Sequence, residues 1–182
     1  MKNTLSKIQK TEYALAQLDY LNALATHCDY ALTLQTNLLT YGISEATMEQ
    51  RTDALRSNIH KFRMRLNRLL TGNGFKRNND YVPIFVVAIE GTKNTYDKNR
   101  TLHAHVMIGN LPASATYDLL VDAITQLWLA TDVGTEDIRL DRLTVGTEQR
   151  WSGYISKETY RGNVDCIDYT NTQIPKKILA EI

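Results

Sequence analysis

The sequence predicts an α+β fold: a central antiparallel β-sheet of about five strands with helices packed on it, preceded by an N-terminal helix. Two observations carry this. Two runs rich in β-formers, 81–90 and 101–109, are separated by one polar loop, the arrangement of an antiparallel hairpin. Longer stretches, 44–70 and 115–130, instead repeat apolar residues every three or four positions, the period of helices with one buried face. Mixed hairpins and helices of this kind predict a sheet covered by helices on one face. With 182 residues, 43% of them hydrophobic, the chain suits one domain over 1–182, in which 1–26 form a helical appendage.

The elements follow in order. Residues 5–25 are rich in Leu, Ala, Gln and Lys, with Ile8, Leu15, Leu18, Leu21 and Leu24 at near-helical spacing. Residues 30–36 (Tyr-Ala-Leu-Thr-Leu-Gln-Thr) favour a strand, closed off by Gly42. Ser44 is suited to cap a helix whose apolar stripe is Leu55, Ile59, Phe62, Leu66, Leu69 and Leu70. The glycines of Thr-Gly-Asn-Gly at 71–74 stop it. Pro83 puts the start of the 81–90 strand near an edge or bulge. A further half-exposed strand is expected at 137–145, a helical segment at 151–160 and a last strand at 164–169.

Composition narrows the function. No apolar run approaches the roughly 18 residues of a membrane helix, and residues 1–10 lack a signal peptide's apolar stretch, so no membrane association and a cytoplasmic location are expected. Cys28 and Cys166 form no Cys-x-x-Cys, which points away from redox and zinc-knuckle chemistry. Net charge is only +1, yet between residues 51 and 77 eight basic side chains stand against Asp53 alone. Such a stretch can track a phosphate backbone, and a solvated helix face explains it equally well.

The sharpest chemical feature is His103-Ala-His105 within the 101–109 strand. Residues i and i+2 of a strand point to one face, so the two imidazoles stand side by side while Leu102, Ala104, Val106 and Ile108 face a core. Paired neutral imidazoles can chelate a divalent cation. Glu90, an acid closing the preceding apolar strand, is the candidate third ligand. Three protein ligands leave open positions for substrate oxygens, as catalysis requires. Downstream, Tyr154 and Lys157 are spaced i, i+3 and share a helix face. A phenol, ionising near about pH 10, is a poor nucleophile at neutral pH, and a neighbouring ammonium or metal favours the phenolate.

Taken in order, the strand 30–36, the segment 102–108 (Leu-His-Ala-His-Val-Met-Ile) and Tyr-Ile-Ser-Lys at 154–157 resemble the three motifs of HUH endonucleases, the group of rolling-circle replication initiators, relaxases and related transposases. Tyr154 and Lys157 match the Y-x-x-K form of single-tyrosine Rep-type proteins. The resemblance spans about residues 30–169 and implies a HUH/Rep-like sheet. It further implies a metal-dependent, sequence-specific nickase acting at a replication origin of a phage, plasmid or satellite in a bacterial host cell. His103, His105 and Glu90 would hold Mg²⁺ or Mn²⁺. Tyr154 would attack the phosphate to give a 5′-phosphotyrosine, assisted by Lys157. The implied partner is DNA, single-stranded or as an origin hairpin, and the candidate DNA contacts are Arg63, Arg65, Arg68, Lys93 and Arg100. Tyr160 stands six residues after Tyr154, so the two-tyrosine Y-x-x-x-Y pattern is not met. No G-x-x-x-x-G-K-[ST] occurs, so unwinding would fall to a separate helicase.

Other metal chemistries fit less well. A H-x-H-x-D-H hydrolase pattern fails because 106–109 offer neither acid nor histidine, and the H-x-E with P-C-x-x-C of nucleobase deaminases is absent. A non-catalytic nucleic-acid-binding module remains the alternative of another class. A stand-alone nuclease directed at a competitor's origin would carry the same motifs as an initiator.

Overall fold

A computed structural model of the chain describes residues 7–92, 98–144, 146–160, 163 and 166–182. Strands β1 (Cys28–Leu39), β2 (Ile84–Glu90), β3 (Thr101–Gly109) and β4 (Gly134–Arg142) form one antiparallel sheet in the order β2-β3-β1-β4. The hairpin is therefore as expected, and the α+β class holds. The sheet has four regular strands. The segment expected as a last strand, 164–169, instead meets β2 at one bridge, Ala88 to Ile167, and a second bridge, Phe85 to Gln173, lies beyond it. A turn held by Asp168, which accepts from the Asn171 backbone and side-chain N–H groups, breaks the ladder between them. Val164 and Asp165 lie outside the described residues.

Helices cover both faces of the sheet, not one. On the first face lie α2 (Glu45–Thr71) and α3 (Tyr117–Leu129). Leu55, Ile59, Phe62 and Leu66 of α2 and Leu120, Ile124 and Trp128 of α3 bury against Leu32, Leu34, Val87, Ile89, Ala104 and Val106. Ser44 caps α2 by accepting from Thr47 N–H at 3.1 Å, and Gly72, at φ 59°, ends it, as the sequence indicates. Phe62 meets Trp128 edge-on at 5.6 Å, and the Trp128 indole donates to the Gln35 carbonyl at 2.8 Å, tying α3 to β1.

On the opposite face, α1 (Lys7–Ala25), α4 (Glu148–Ile155) and the short α6 (Lys176–Leu179) pack on Ile84, Val86, Ala88 and Met107. Leu21 and Leu24 of α1 and Ile155 of α4 are fully buried there. Alternation explains the two-sided burial: every residue of β2 is buried, so both of its faces need cover. The expected 151–160 helix is split into α4 and α5 (Lys157–Tyr160) at Ser156. Among the described residues no helix is long and apolar enough to cross a membrane.

Phe62 and Trp128 join both helices of the first face to the sheet. Phe62→Ala is expected to cost about 3–5 kcal/mol of unfolding free energy in urea denaturation; a loss under about 1 kcal/mol would mean that this contact does not organise the first core.

Candidate metal centre

The second face changes character along its length. At the α6 end it is apolar; at the other end stand Glu90, His103 and His105. Register does this. Glu90 of β2 lies opposite His103 of β3, and Ala88 opposite His105, so acid and imidazoles share one face. On the other side of β3, Gln35 and Thr33 of β1 oppose His103 and His105. Gly91 follows the acid directly with φ 88°, and a Cβ there would sit 2.5 Å from the Thr101 carbonyl, so only glycine lets the chain leave β2 at this point.

Both imidazoles point Nε2 at the same atom, Glu90 Oε2, at 3.4 Å from His103 and 3.5 Å from His105. His103 Nδ1 lies 3.2 Å from the Thr101 carbonyl, which can only accept, a contact suited to an Nδ1–H when Nε2 holds a metal. Thr33 Oγ1, 3.0 Å from His105 Nδ1, can fix the same tautomer there. Burial of the Glu90 carboxyl alone would raise its pKa. The imidazoles of His103 and His105 and the Lys157 ammonium outweigh burial and hold it far below the usual carboxylate range. Burial lowers the His105 pKa despite the opposing pull of Glu90, which favours the neutral ligand form.

The residues could hold a metal ion. A divalent ion about 2.1 Å from each donor, at donor–metal–donor angles of roughly 90–110°, sets donors roughly 3.0–3.4 Å apart. All three candidate donors lie within 4.8 Å of one another. Glu90 Oε1 and His105 Nε2 are buried without hydrogen-bond partners, a costly state that a cation would relieve. The Glu90 and His105 side chains are 2% and 3% exposed and His103 is 16% exposed, so the cluster opens to solvent on the His103 side.

The tyrosine and lysine converge on this centre. The Tyr154 ring meets His105 edge-on at 4.8 Å and stacks on Trp151 at 5.2 Å, while remaining 43% exposed. Lys157 Nζ lies 3.5 Å from the centre of the Tyr154 ring and donates to Glu90 Oε2 at 2.8 Å. The N-terminal helix holds these elements in place. Ser152 of α4 donates to the Leu21 carbonyl at 3.2 Å, and Thr159 of α5 donates to Gln17 of α1.

Arg100 lies beside His103 in a groove of about 410 Å³ lined by Gln35, Thr36, Asn99, Thr101, Thr135 and Asp137. Arg63, Arg65 and Arg68 are not brought to this side: α2 covers the opposite face. Arg63 reaches Gln173 and His60, Arg65 donates to the Ala130 carbonyl at the end of α3, and Arg68 is exposed. Lys93 lies outside the described residues. Sequence reasoning overlooked Thr33, Gln35 and Trp151. Thr33 and Gln35 alternate with Leu32 and Leu34, a period-two signal that marks them as the polar face of β1. Trp151 stands three residues before Tyr154, the spacing of stacked neighbours on a helix.

The chain matches no family model, no curated protein and no solved structure.

Two outcomes are expected. Mn²⁺ should raise the thermal midpoint of the wild-type protein, and His103→Ala or Glu90→Gln should remove that rise; an equal rise in the variants would place the ion elsewhere. In metal-free buffer, His105 binds a proton less readily folded than unfolded, so its contribution to stability falls as pH drops below the ordinary imidazole value of about 6.5. Thermal melts from pH 7.5 down to about 5 should therefore show a shallower loss for His105→Gln than for wild type.

Proposed function

We propose that this protein is a metal-dependent DNA-nicking endonuclease of the HUH type that uses Tyr154 as its nucleophile. One observation carries the reading. Tyr154 packs against His105, and Lys157 bridges the Tyr154 ring and Glu90, so residues from three separate parts of the chain converge at one rim. A tyrosine that merely filled a helix face would have no need of that company.

Glu90, His103 and His105 would hold Mg²⁺ or Mn²⁺, ions that accept imidazole and carboxylate donors while keeping sites open for oxygen. Such an ion supplies Lewis-acid polarisation of a phosphate and neutralises charge developing on its oxygens. The protein's own groups do the rest. The Tyr154 phenol loses its proton to solvent as its oxygen forms a bond to phosphorus. The bond from phosphorus to the 3′ oxygen breaks and that oxygen takes up a proton from solvent, leaving a 5′-phosphotyrosine and a free 3′-hydroxyl. The half-exposed ring can meet a strand in solution, and the Lys157 ammonium over its face adds positive charge to a site that must receive a phosphate. The groove beside His103 provides a path for single-stranded DNA or a hairpin's unpaired strand. Arg100 is its phosphate contact, and the amide and carboxylate groups of Gln35, Asn99 and Asp137 are suited to base edges. Any contact made by Arg63, Arg65 or Arg68 falls on DNA remote from the scissile phosphate.

Incubation with a pool of single-stranded and hairpin DNA and Mn²⁺ should give a denaturation-resistant protein–DNA adduct. Tyr154→Phe should abolish the adduct, and His103→Ala should slow its formation about a hundredfold or more. No adduct on any single-stranded or supercoiled DNA would sink the proposal. Arg100→Ala should weaken strand binding and reduce its salt slope by about one; an unchanged slope would take the strand out of the groove.

A further inference from the structure

We propose that Lys157 is a resident counter-cation that competes with the metal for Glu90 Oε2, and so sets the metal affinity of the site and ties metal binding to the release of Lys157 beside Tyr154. The inference rests on the metal-centre reading above. It starts from an asymmetry in the carboxylate. Lys157 Nζ and both imidazole Nε2 atoms converge on Oε2, while Oε1 is buried with no partner. The crowded oxygen is the one at the distances from both imidazoles that a shared ion requires. Lys157 therefore holds the atom the metal must take.

Burial makes the competition strong. A carboxylate that is 2% exposed needs a positive charge nearby, and among the described residues Lys157 is the cation in contact with it. A short ammonium–carboxylate bond to a buried oxygen is of the strong, charge-assisted kind. A divalent ion on the same oxygen would face an ammonium at close range in a low-dielectric setting, where like charges cannot share one ligand atom. Lys157 must give way. Its side chain is 27% exposed and enters from the rim, so it can leave without disturbing the core.

Lys157 also has somewhere to go. Nζ already lies 3.5 Å from the centre of the Tyr154 ring, a cation–π contact that stays available once Glu90 is surrendered. Without a metal, the ammonium is spent on Glu90. With Glu90 occupied, it is left to the phenol and to the phosphate Tyr154 attacks. The i, i+3 spacing of Tyr154 and Lys157 thus serves two positions of one amine.

The test is titration calorimetry of the protein at pH 8 with Mn²⁺ alone. Lys157→Met removes the charge at similar volume and should bind Mn²⁺ about tenfold more tightly or better than wild type. Lys157→Arg keeps a competing cation and should bind no more tightly than wild type. Circular dichroism checks that each variant folds; should Lys157→Met not fold, Lys157→Gln carries the same expectation. Wild-type binding with equal or weaker affinity in the neutral variants would overturn this inference and leave the metal centre standing. No Mn²⁺ binding by wild type or variants would overturn both.

Discussion

A single buried carboxylate organises this molecule. Glu90 ends a strand whose every residue is buried, yet its charge is kept, because two imidazoles and an ammonium are arranged to receive it. An isolated carboxylate at that depth would protonate or destabilise the fold. The rest of the second face is built to make the arrangement possible. The hairpin register brings His103 opposite Glu90, the Thr101 carbonyl and Thr33 stand at the Nδ1 atoms of the two rings, and α4 and α5 carry Tyr154 and Lys157 over the rim.

This explains why the two faces of the sheet differ. The first is a conventional apolar core, in which α2 and α3 supply aromatic and branched side chains around Phe62 and Trp128. The second is apolar at one end only. There α1 does more than extend the chain: Leu21 and Leu24 fill the core while the Leu21 carbonyl and Gln17 hold Ser152 and Thr159. The helix bearing the candidate nucleophile is short, and short helices are marginal alone. Its position over His105 depends on being clamped between α1 and the sheet.

Much of this was legible in the sequence, and the reason is periodicity. The alternation of 101–109 put His103 and His105 on one face, and an acid at the end of a preceding apolar run pointed to Glu90 because a two-stranded hairpin admits few registers. The helix of 44–70, its Ser44 cap and its glycine stop follow from local chemistry alone. What could not be read were choices between faces. The basic residues of α2 are a property of one helix, and which side of the sheet that helix covers is decided by packing elsewhere. Arg63 and Arg65 accordingly turn out to tie α2 to Gln173 and to the end of α3. The same limit hid the pairing of Lys157 with Glu90, since Lys157 was visible only as a neighbour of Tyr154 along its own helix. The interrupted edge at Ile167 and Gln173 was hidden too, because an Asp168–Asn171 turn resembles a strand end until its hydrogen bonds are seen.

The central claim is that Glu90, His103 and His105 form one metal site at the base of Tyr154. An anomalous-difference map from crystals of the protein grown with Mn²⁺, recorded near the manganese absorption edge, tests it directly. The account predicts one dominant peak about 2.1–2.3 Å from a Glu90 oxygen and from Nε2 of both histidines, on the side open to the groove and beneath the tyrosine ring. A map with no peak there, or with manganese bound only to surface carboxylates, would contradict it.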